Sequence, residues 1–107
     1  FMAFLRSLDQ LPDIDAILRG EEKSVPEGID LQYAVASALV GRTRKIEEEK
    51  QTEAFGAILE YATLFPQREM GVMLVTDLYR TVGSDLFAVP QFTRWAQAVG
   101  DLVLYEG

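Results

Sequence analysis

Residues 11–20 read Leu-Pro-Asp-Ile-Asp-Ala-Ile-Leu-Arg-Gly, and they hold a short helix complete with both end signals. Pro12 breaks the preceding pattern, because a proline ring removes a backbone donor and crowds the turn before it. Asp13 is placed to accept a hydrogen bond from the backbone N–H of Asp15 or Ala16, which starts a helix. Ile14, Ile17 and Leu18 fall at i, i+3 and i+4, the spacing of one buried helical face. Gly20 can then take the left-handed conformation that closes the helix. The spacing predicts helix, and the same signature recurs along the chain.

Upstream, Phe1, Phe4, Leu5 and Leu8 form another helical stripe, with Arg6, Ser7 and Asp9 on the other side. Downstream, residues 21–28 read as a polar loop containing Pro26 and Gly28 and anchored by Val25. Asp30 is the next expected cap, followed by a stripe of Leu31, Ala34, Val35, Ala38 and Leu39, with Gly41 near its end. The small side chains of Ala34, Ala36, Ser37 and Ala38 predict a close neighbour there. Residues 43–51 are charged, with Ile46 as their apolar anchor, and periodicity leaves open whether they extend a flanking helix or connect two. Thr52 is an expected cap for the stripe Phe55, Ile58, Leu59, Ala62 and Phe65.

Pro66 is expected to end that helix and to fit the first turn of the next. From Met70 to Tyr79 the chain is apolar almost all round, the mark of a central helix. Gly83 and Ser84 end it. Pro90 starts a last stripe of Phe92, Trp95, Ala96, Val99, Leu102 and Val103. No segment alternates over a strand's length, and no Asn-Gly or Asp-Gly hairpin turn occurs. No fixed-period match supports a helical repeat. The expected fold is all-α, a single-domain helical bundle of about six helices.

A chain of 107 residues, 49% hydrophobic and 25% charged, suffices for one ordinary globular core. No run approaches the roughly 18 apolar residues of a membrane span. A net charge of −7 repels phosphate backbones, so nucleic acid is not an expected partner, and neither is a membrane. Arg42, Arg44 and Lys45 form the only local basic cluster, and Glu47, Glu48 and Glu49 follow directly. Basic residues at a helix end and acidic ones at a helix start complement the helix dipoles. The absence of cysteine makes an intracellular, cytoplasmic location the expected one. The opening Phe1-Met2 is not that of a reading frame, so the chain reads as a fragment of a longer protein.

Histidine is absent too, which removes the usual general base and most transition-metal sites. Asp13 and Asp15 are two apart and diverge on a helix, so they read as cap and dipole charge. A calcium loop starting at Asp13 fails at Ile17 and Leu18, where it needs an oxygen ligand and a glycine. Glu47, Glu48 and Glu49 fan around a helix as a solvated face. Asp77 and Arg80, at i and i+3, predict an ion pair, and Trp95 is expected in the core. Neither a phosphate-cradling glycine loop nor a nucleophile elbow is present. No catalytic, cofactor-binding or metal residue is therefore expected in this chain. Arg42, Arg44, Lys45, Glu47, Glu48 and Glu49 are the candidate partner contacts, because this connection must face solvent.

Three blocks, in order, resemble the C-terminal helical region of MoxR-type AAA+ ATPases. The first joins Phe4-Leu5, the 11–18 stretch, Val25-Pro26 and the Leu31–Leu39 helix with Tyr33-Ala34. The second is Ala57-Ile58-Leu59-Glu60-Tyr61-Ala62 running into Pro66. The third is Met73-Leu74-Val75-Thr76-Asp77, then Pro90-Gln91-Phe92-Thr93-Arg94-Trp95-Ala96. Residues 43–53 depart from the pattern by being longer and more charged. The resemblance implies that residues 1–107 are a distal lid or accessory domain, with a nucleotide-binding core upstream. It implies ATP and magnesium for the parent protein, ring assembly, and chaperone-like remodelling or maturation of clients. Partners would be other domains or subunits of the same ATPase and a protein with a von Willebrand factor A-like domain. Nucleotide-contacting residues, including the lid arginine, would precede residue 1, so none is carried onto this chain. The competing expectation is an independent all-α interaction domain unrelated to any ATPase.

Overall fold

The computed structural model describes residues 11–99. Five α-helices occur in order: α1 (Ile14–Leu18), α2 (Ile29–Thr43), α3 (Glu48–Ala62), α4 (Arg68–Val82) and α5 (Pro90–Val99). A 3₁₀ segment, Gly83–Ala88, joins α4 to α5. Among the described residues there is no strand, and the chain is an all-α bundle. Among the described residues there are five α-helices, against an expectation of about six for the whole chain. The stripe of Phe1, Phe4, Leu5 and Leu8 lies outside the described residues, as do Leu102 and Val103.

The opening stretch forms its helix as its residues dictate. The Asp13 Oδ1 accepts from the Ala16 N–H at 3.3 Å. At the other end Gly20 takes φ +76°, its N–H donates to the Ile17 carbonyl, and the Glu21 N–H donates to the Ala16 carbonyl. This paired closure satisfies two carbonyls that the last turn leaves open. Ile17 and Leu18 are buried against the bundle.

Asp30 is not a cap. Gly28 occupies the cap position of α2, and Asp30 sits in the first turn, where the helix dipole favours its charge. The buried Gln32 locks this start: its Nε2 donates to the carbonyls of Pro26 at 2.9 Å and Glu27 at 3.3 Å. The inward face of α2 is Gln32, Val35, Ala36, Leu39 and Thr43, rotated by about one position from the expected stripe. Leu31, Ala34 and Ala38 are half-buried, and Ser37 faces solvent.

Thr52 is not a cap either. The charged stretch is divided: Thr43 closes α2, a short turn follows, and α3 starts at Glu48 with Glu47 in the cap position. Ile46 anchors the turn against the core, as its isolation among charges predicts. Glu48 and Glu49 then lie in the first turn of α3. Pro66 neither ends α3 nor enters the first turn of α4. The helix stops at Ala62, Thr63 bonds its own hydroxyl to the Glu60 carbonyl, and Pro66 precedes the Gln67 cap of α4. Pro90, by contrast, is the first residue of α5.

The centre of the bundle is α3, not α4. From Ala54 to Ala62 every residue of α3 except Glu60 is buried, and this helix packs on all four others. The expected centre, α4, buries Met70, Gly71, Leu74, Val75 and Leu78 along one face and leaves Tyr79 exposed. Apolar composition misled because Val72 and Met73 sit half-buried on the flank. α3 and α4 approach closely at Gly71, where an added Cβ would collide with the Ala62 carbonyl oxygen. Trp95 is buried as expected, within a core shared by all five helices.

Candidate functional site

The three elements that meet around the charged connection are α1, the end of α2 and the start of α3. They enclose an open cleft of about 480 Å³. Its apolar lining comes from Leu18, Ile46 and Ala54, contributed by α1, the α2–α3 turn and α3 in turn. Its charged lining is mixed: Arg19, Arg42, Lys45 and Lys50 against Asp15, Glu47 and Glu53. Four of the chain's ten basic residues thus gather in one place on a protein of net charge −7.

An ion pair fixes the cleft wall. The Arg42 Nη2 lies 3.0 Å from Asp15 Oδ1 and donates to Oδ2 at 3.1 Å, joining α2 to α1 across 27 residues of sequence. Both side chains are about half exposed, so the bond orients more than it stabilises. Arg19 reaches the other way, its Nε donating to Glu21 Oε2 at 3.0 Å, and this hydrogen bond raises the guanidinium pKa. Among the described residues, Lys45, Lys50, Glu47 and Glu53 form no ion pair. They are the charges left available to a partner.

All six candidate contacts from the sequence are exposed. Arg42, Lys45 and Glu47 line the cleft, whereas Arg44, Glu48 and Glu49 lie outside it. The charged connection proposed from the sequence runs to Lys50, which also lines the cleft; sequence reasoning missed Asp15, Arg19 and Glu53 as members of this surface. Asp15 was legible only as a dipole charge, and no local pattern signals a pairing with Arg42. Glu53 could have been found from its i, i+3 spacing with Lys50, itself three residues after Glu47.

A smaller cavity of about 180 Å³ lies where the 20–23 loop meets the end of α3, beside Ile17, Tyr61 and Leu64. Tyr61 is 2% exposed, and its hydroxyl donates to the Ser24 carbonyl at 2.7 Å. Burial, and then the charge of Glu22, push its pKa up from 10.0 to about 12. The phenol therefore remains protonated at neutral pH and acts as a strut between loop and helix. Glu22 is held low by the Ser24 backbone N–H and then by the Ser24 hydroxyl, at 3.0 and 2.8 Å.

Aromatic rings form a third feature. Tyr79 stacks on Phe87 with centroids 5.2 Å apart, Phe87 meets Phe92 at 4.9 Å, and Phe92 meets Trp95 at 5.7 Å. The series runs from exposed Tyr79 and Phe87 to the buried indole, whose Nε1 has no acceptor among the described residues. Asp77 and Arg80 make the expected ion pair, loosely at 3.7 Å and exposed. Among the described residues no three carboxylates converge as a metal-binding group, and no helix is long and apolar enough to cross a membrane. The arrangement in the cleft suits docking: an apolar floor ringed by charges of both signs. Comparison of the chain with protein-family models, with curated proteins and with solved structures finds no match in any of the three.

Proposed function

We propose that this chain is a non-catalytic helical module of a MoxR-type AAA+ ATPase, in which it couples nucleotide state to a neighbouring subunit or a client. The observation that carries the coupling role is the cleft, where residues 43–53 supply much of an open surface with uncommitted charges. The order of the helices around Pro12, Pro26, Pro66 and Pro90 supports the same reading. A body with one continuous core can be moved as a unit, which is what rigid-body coupling requires. In this reading the parent protein is cytoplasmic, binds ATP and magnesium through its upstream core, and remodels or matures other proteins. Its partners are other subunits of the same ATPase and a protein with a von Willebrand factor A-like domain.

Calorimetry on residues 1–107 tests the division of labour. The isolated chain is expected to give no heat of binding with magnesium-ATP, and micromolar affinity would overturn the assignment. Reversing Glu47, Glu48 and Glu49 to lysine in the parent protein tests the surface. Weakened assembly or client capture is expected; unchanged assembly and capture would remove this surface from the mechanism.

An independent all-α interaction domain is the second reading, favoured by the exposed Tyr79–Phe87 stack, which a partner could cover. The coding sequence immediately upstream separates the two. A Walker loop followed by an acidic strand end supports the ATPase module, and a different domain supports the alternative.

A further inference from the structure

We draw no further inference here: the strongest candidate, the exposed stack of Tyr79 on Phe87 where α4 passes into the 3₁₀ segment, is an unpartnered apolar face, and nothing in the structure shows what covers it.

Discussion

The two halves of α3 are built on one continuous backbone and live in different solvents. From Glu48 to Glu53 the helix is polar and, apart from half-buried Gln51, exposed. From Ala54 to Ala62 it is the centre of the bundle. Glutamate, lysine and glutamine lose little side-chain freedom in a helix, so the first half can hold its conformation while fully hydrated. Packing holds the second half, where alanine, glycine and large apolar residues let the neighbouring helices approach. The difference separates the surface available for docking from the body that carries it. Substitutions in the second half should threaten the fold, and those in the first should touch recognition alone.

The largest effect is expected at Ile58, which is fully buried in the second half of α3. Ile58→Ala removes apolar contacts and leaves a cavity, a loss of about 2–5 kcal/mol. Urea unfolding followed through the single tryptophan, Trp95, measures it. A loss below ~1 kcal/mol would contradict the central place given to α3. Gly71→Ala comes next, at about 1–3 kcal/mol, because the added methyl meets the Ala62 backbone and not a flexible side chain. The same substitution at Gly56 sharpens the comparison. There the obstacle is the Gln91 side-chain amide at 2.7 Å, which can rotate away, so thermal melting should show the smaller loss.

Tyr61→Phe loses one buried hydrogen bond and should cost about 1 kcal/mol. The pH dependence gives it a signature. Because the folded-state pKa is raised, the Tyr61 contribution is fully present below pH 10.0 and is lost as pH rises towards about 12. The unfolded chain releases its proton first, so unfolding becomes easier across that window. The Phe variant should show a shallower alkaline decline, and an identical decline would mean that Tyr61 is not the group responsible.

The smallest effect is expected at the charged end. Arg42→Ala removes the ion pair with Asp15, yet both partners are half exposed, and stability should change by about 0.5 kcal/mol or less. Raising the salt concentration should erase even that difference. A loss as large as that of Ile58→Ala would show that the junction is part of the structural core, and the contrast between the two halves would collapse.

Local chemistry made much of this fold readable. Asp13 and Gly20 bound α1 because a carboxylate accepts from nearby backbone N–H groups and a glycine enters positive φ without steric cost. The stripe Phe55, Ile58, Leu59, Ala62 and Phe65 is buried throughout. Thr52 and Asp30 were misread as caps because both are cap-forming residue types, whereas the actual starts, Glu47 and Gly28, use no side-chain cap bond. Those starts are held by contacts the local pattern does not contain, such as Gln32 on the Pro26 carbonyl. The candidate surface was half legible. Charge density exposed Arg42, Lys45 and Glu47, but α1 brings Asp15 and Arg19 to them only through folding.

By itself, then, the sequence determined that this chain is helical, where most of its helices lie, and which charges face water. Those properties follow from interactions within a few residues: periodicity, proline, glycine and local hydrogen bonds. Tertiary structure decided which helix is central, where two backbones touch, and which charges share a cleft. Each of these depends on residues far apart in the chain. Gly71 fits under Ala62, and Arg42 reaches Asp15, only once the apolar faces of all the helices have been satisfied together.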